Sequence, residues 1–70
     1  MILNTSQAQA VAKTIAEMNN LGASRMSMTF GPAGARTYVV ATPTTVTVSG
    51  PCYQDEYFLS QQEFFTAYSV

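Results

Sequence analysis

The chain contains no histidine and no tryptophan, a single cysteine (Cys52), and only seven charged side chains among 70 residues. Each shortage excludes a kind of chemistry. Without histidine no Ser–His or Cys–His nucleophile can be assembled, and the side chain most often used as a general base near neutral pH is missing. One thiol and no imidazole make neither a zinc site nor a disulfide framework. Three basic residues, Lys13, Arg25 and Arg36, are too few for a nucleic-acid binder that must neutralise several phosphates. Four acidic residues, Glu17, Asp55, Glu56 and Glu63, are too few to imitate a polyanion. No stretch approaches the roughly 18 consecutive apolar residues of a membrane span. Met1 to Ser6 lacks the basic start and long apolar run of a signal peptide. The expected location is therefore the cytoplasm, and the lone thiol fits a reducing compartment.

Neutral polar residues stand where the charges are missing. There are nine Thr, six Ser, five Gln and three Asn, and apolar residues make up 47%, a normal globular share. Seventy residues make one small domain, 1–70, with no separate linker or internal repeat. A domain of this size buries only about 60% of its unfolded surface. With no disulfide or metal to help, good packing or association with another chain has to supply its stability.

Ala8, Val11, Ile15, Met18 and Leu21 or Gly22 recur at steps of three and four, one face of a helix over about residues 5 to 21. Ser6 with Gln9 makes a capping box, and Asn4 with Gln7 is the competing frame, with Leu3 before it. Gly22 reads as the terminating glycine.

Three strand patterns follow. In Arg25 to Phe30, Met26, Met28 and Phe30 alternate with Arg25, Ser27 and Thr29. Arg36 to Thr42 is rich in Tyr and Val, and its inward face is expected to carry Tyr38 and Val40. Thr45 to Ser49 alternates Val46 and Val48 with hydroxyl residues. Short connections make an antiparallel meander. Tyr53 to Leu59 is a fourth strand or an extended arm. Ser60-Gln61-Gln62-Glu63 is a second capping box, with Leu59 and Phe64 spaced as a hydrophobic staple. It opens a short helix that needs docking to persist. The expected fold is α+β, with both helices on one face of a three- or four-stranded sheet in two layers.

The remaining polar residues offer little chemistry. Lys13 lies on the solvated side of the first helix. Cys52 has no cation nearby in sequence to lower its pKa and reads as a half-buried small hydrophobe. Asp55 and Glu56 are adjacent, so on an extended chain they point to opposite faces. Glu63 is accounted for by the cap. The glycines of Gly31-Pro32-Ala33-Gly34 join two strands, whereas phosphate-clamping glycine loops precede helices. No enzyme activity, cofactor or metal is expected.

What is left is surface. Tyr53, Asp55, Glu56 and Tyr57 form an acidic, aromatic stretch suited to a protein partner. Arg25 and Arg36 are expected near one end of the sheet as a second cluster. From Thr37 to Gln54, eighteen residues run without charge, across the third strand pattern. Exposed edge strands usually carry lysine, proline or a bulge that blocks pairing. Either Thr45, Thr47 and Ser49 mark an edge that pairs with another chain, or residues 53 to 59 cover it. The expected function is that of a non-enzymatic protein-binding module, a small inhibitor or adaptor. The products with which phages and other mobile elements block host defences are of this type. The alternative is a structural subunit of a homo-oligomeric, virion-type assembly. In both cases the partner is a protein, a host target or another copy of the chain, and neither a nucleic acid nor a membrane.

Overall fold

A computed structural model describes residues 1–70. The first helix, α1 (Thr5–Leu21), buries Ala8, Val11, Ile15 and Met18, but Leu21, expected as the last position of that stripe, is 83% exposed in the final turn. Of the two candidate caps, Asn4 is the one used: its Oδ1 accepts from Gln7 N at 2.8 Å, and Gln7 Oε1 accepts from Asn4 N at 3.0 Å. Leu3, just outside this cap, is buried in the core. That burial fixes the frame, because starting the helix two residues later would pull Leu3 away. At the other end Gly22 takes φ +67°, where a side chain would be strained. Gly22 N donates to Asn19 O and Ala23 N to Met18 O, the paired bonds of a Schellman turn.

Four strands follow, β1 (Met26–Phe30), β2 (Thr37–Ala41), β3 (Val46–Ser49) and β4 (Glu56–Phe58), and then α2 (Gln61–Tyr68). The sheet is an antiparallel meander in chain order, β1-β2-β3-β4. Both helices lie on one face of it. Val39, Ala41, Val46 and Val48 from the sheet form one core with Leu3, Ala8, Val11 and Ile15 and with Phe64 of α2. Phe58 meets Phe64 edge-on at 5.5 Å.

The inward face of β2 differs from the expectation. Val39 and Ala41 are fully buried, while Tyr38 faces away from the helices and is 51% exposed. Register decides this. The turn that leaves Phe30 opposite Thr37 also sets Met28 opposite Val39 and Met26 opposite Ala41. Paired residues share a face, so the methionine row draws Val39 and Ala41 inward. Apolar residues lie on both sides of Tyr38-Val39-Val40-Ala41, so alternation within β2 does not choose between them.

Cap details at α2 also shift. Ser60 Oγ accepts from Glu63 N at 3.1 Å, but Glu63 Oε2 accepts from Leu59 N at 2.7 Å, one residue earlier than a capping box requires. Leu59 stays 69% exposed and does not close over Phe64 as a staple. Phe58 packs there instead.

Neutral side chains tie the elements together. Gln61 Nε2 donates to Thr42 O in the β2–β3 turn at 2.9 Å, and Gln61 and Asn19 exchange amide hydrogen bonds at 2.9 and 3.2 Å. Within that turn, Thr42 Oγ1 accepts from Thr44 N and Thr45 N and bonds Thr45 Oγ1 at 2.7 Å. Neither helix is long and apolar enough to cross a membrane.

Candidate docking site at the sheet margin

The uncharged run from Thr37 to Gln54 does not leave an open edge. β4 pairs with β3, setting Val46 opposite Phe58, Thr47 opposite Tyr57 and Val48 opposite Glu56. β3 is therefore an interior strand: of the two readings, the one in which residues 53 to 59 cover it holds, and Thr45, Thr47 and Ser49 do not mark a pairing edge. β4 is only three residues long, yet its backbone fills the position beside β3. The two free edges of the sheet belong to β1 and β4.

Beside β4 lies α2. A shallow, largely open groove of about 420 Å³ runs between them, lined by Tyr57, Phe58, Gln62, Glu63, Thr66 and Ala67. Tyr57 is 60% exposed and faces the open side of the sheet. Asp55, just before the strand, is exposed too. Glu56 turns inward, as its neighbour's opposite orientation requires, and is half-buried. Its Oε1 accepts from the Tyr68 hydroxyl, which in turn accepts from Leu3 N at 3.3 Å. Burial, followed by the Glu56 hydrogen bond and charge, pushes the Tyr68 phenol up to about 12. Glu56 is thus a structural acid that also adds negative charge near the groove.

Tyr53 lies within the β3–β4 connection. A Cβ on Gly50 would come within 3.2 Å of the Tyr53 ring and 3.3 Å of the Ile2 side chain. The bare glycine lets the ring fold back against the sheet's end, and the ring remains 62% exposed. A polar hollow of about 280 Å³ opens at the same end, lined by Gly34, Arg36, Tyr38, Ser49, Gly50 and Pro51.

The two arginines do not meet. Arg36 immediately precedes β2, at the end where β1 finishes, and Arg25 immediately precedes β1 at the opposite end. Five strand residues separate the two ends, roughly 17 Å at the usual rise. The expected arginine cluster is replaced by one arginine at each end. Cys52 is exposed, not half-buried, because the Pro51-Cys52 turn projects from the sheet.

Sequence reasoning missed the open face. Ser27, Val40, Thr47 and Tyr57 form one cross-strand row and Thr29, Tyr38 and Ser49 another, on the side away from both helices. No charged residue belongs to either row. The signal was present in the outward residues of each strand, once β2 is read in its true register. No three carboxylate or thiol side chains converge as a metal cluster would require.

No protein-family model matches the chain, and neither the curated proteins nor the solved structures compared with it include a match.

Proposed function

We propose that this chain is a non-enzymatic protein-binding module, a small inhibitor or adaptor that docks through β4 and the adjoining groove of α2. One observation carries the reading: a free strand edge lies directly beside a groove with an exposed tyrosine at its margin. An extended segment of a partner that adds to β4 gains main-chain hydrogen bonds from the strand, and its alternate side chains enter the groove. The charge around the site selects the partner. Asp55 and Glu56 flank or belong to β4, Glu63 lines the groove, and no basic residue lines it. A basic, β-prone segment is the complementary occupant.

The experiment is a titration of isotope-labelled protein with extended peptides that alternate Lys or Arg with Val, against acidic peptides of the same pattern. The expected result is binding of the basic set alone, with amide shifts confined to β4 and α2 and slowed exchange at Glu56 to Phe58. Thr66→Trp, which fills the groove from an exposed helix position, should abolish it. Absence of binding by every basic peptide, or shifts centred elsewhere on the sheet, overturns the reading.

A further inference from the structure

The second free edge, β1, has the features of a strand made to pair. It bonds β2 on one side and nothing on the other. Its five residues, Met26-Ser27-Met28-Thr29-Phe30, include no charge, no proline and no glycine. Natural edge strands are usually blunted by a lysine, a proline or a bulge, or kept very short. The opposite edge is guarded against a second copy of itself: β4 has three residues, begins with Glu56 and is preceded by Asp55. Two copies of β4 laid side by side would gather four carboxylates. Two copies of β1 would gather none.

Burial along β1 is also incomplete. The inward residues of β2 and β3 (Val39, Ala41, Val46 and Val48) are all at 0% exposure. Met26, Met28 and Phe30 pack against the same core yet remain only partly covered, at the edge of the sheet. Asn19 marks the flank facing α2 through its bonds to Gln61. On the helical period the flank turned away from α2 carries Gln7, Ala10 and Thr14, all half-buried, with the exposed Glu17 at its outer margin.

We propose that the chain forms a two-fold homodimer in which β1 pairs antiparallel with β1 of a second copy about an axis through Met28. The two four-stranded sheets then become one continuous sheet. This register pairs all five residues. Met28 faces its own copy, Met26 faces Phe30, and Ser27 faces Thr29. Apolar residues meet on the helix-covered side, hydroxyls meet on the open side, and the two Arg25 side chains fall at opposite ends of the pair. A patch complementary to itself under a two-fold axis closes the assembly at two copies. Both β4 grooves stay free at the far ends, so the inference stands apart from the proposed function.

The test is the oligomeric state of the full chain by light scattering and analytical ultracentrifugation over a wide concentration range. The wild-type chain should be a dimer. Ser27 and Thr29 are exposed, so both can be changed without touching the core. Ser27→Lys/Thr29→Lys and Ser27→Glu/Thr29→Glu should each be monomeric, since every new charge opposes a like charge across the axis. An equimolar mixture of the two variants should restore a heterodimer. Independently of any variant, amide exchange across β1 should slow as protein concentration rises. A wild-type chain that stays monomeric throughout overturns the proposal. So does a wild-type dimer that both variants retain, which would place the contact on the open sheet face or at β4. Growth into filaments would also overturn it, since β1 would then be pairing with β4.

Discussion

The Tyr68 hydroxyl donates to Glu56 Oε1 and accepts from Leu3 N, so one phenol near the end of the chain holds both β4 and the segment that precedes α1. Two of the smallest pieces of the fold, a three-residue strand and an eight-residue helix, are locked by this bond and by the packing of Phe58 against Phe64 and Tyr68. Tyr68→Phe keeps the ring and removes both bonds. The expected cost is about 1.5–3 kcal/mol, the usual worth of a hydrogen bond to a charged group, read as a lower urea midpoint with an unchanged slope.

That bond also predicts a pH dependence. The phenol titrates near 10 in the unfolded chain and is raised to about 12 in the fold. Folding therefore favours the protonated hydroxyl. The resulting stability is fully present below pH 10 and is lost as pH rises from 10 through 12, where the unfolded chain releases the proton and the fold retains it. The difference in denaturation midpoint between pH 9 and pH 11 should be larger for the wild-type chain than for Tyr68→Phe. Equal differences would show that the phenol does not titrate differently in the fold.

Gln61 occupies the place that an ion pair takes in more highly charged domains. Its amide joins Asn19 at the end of α1 and Thr42 O in the β2–β3 turn. Gln61→Ala leaves Thr42 O and the Asn19 amide without these partners, and should cost about 1–2 kcal/mol. Asn19→Ala should cost less, because it keeps the bond to Thr42. In a double-mutant cycle the two should couple by roughly 0.5 kcal/mol or more. Additive losses would mean that the amide pair contributes nothing of its own.

Much of this fold is legible from residue order, and the exceptions share a cause. Ala8, Val11, Ile15 and Met18 define α1 because a helix is specified by its own period. Val46 and Val48 define β3 because only one of its faces is apolar. Tyr38 and Val40 are misplaced because both faces of β2 look apolar, and the deciding pairing with Met28 lies across a turn. Arg25 and Arg36 seem adjacent because a hairpin joins them, yet antiparallel register carries them to opposite ends. Glu56 breaks the alternation of β4 because the Tyr68 hydroxyl receives it inside the fold. In the candidate docking site, Asp55 and Tyr57 were legible as surface residues. The contribution of Glu63, Thr66 and Ala67 was not, because it depends on α2 docking beside a strand whose own pattern is weak.

The two helices end in the same way with different residues. Ser69 takes φ +57° and its N–H bonds Thr66 O, while Val70 N bonds Phe65 O, the geometry Gly22 adopts after α1. Left-handed backbone costs a residue with a Cβ roughly 1 kcal/mol. Ser69→Gly should therefore raise stability by up to about 1 kcal/mol, and Gly22→Ala should lower it by about as much. Thermal melts of the two variants should shift in opposite directions, and shifts in the same direction would contradict the shared geometry.

The register of β2 sets a sharper contrast between neighbours. Val39 is fully buried between Met28 and Val48, and Tyr38, one residue earlier, points outward. Val39→Ala removes two buried methyl groups and leaves a void in a core of only nine buried residues, a loss of about 2 kcal/mol. Tyr38→Thr exchanges one strand-favouring residue for another on an exposed face and should change stability by no more than about 0.5 kcal/mol. If the inward face were Tyr38 and Val40, the order would reverse, because truncating a buried tyrosine costs more than trimming an exposed valine. Urea denaturation of the two single variants decides between these registers without a structure of either one. The same pair of variants bears on the open face: if Tyr38→Thr is silent for folding, any change it causes in association belongs to the surface that Tyr38 shares with Thr29 and Ser49.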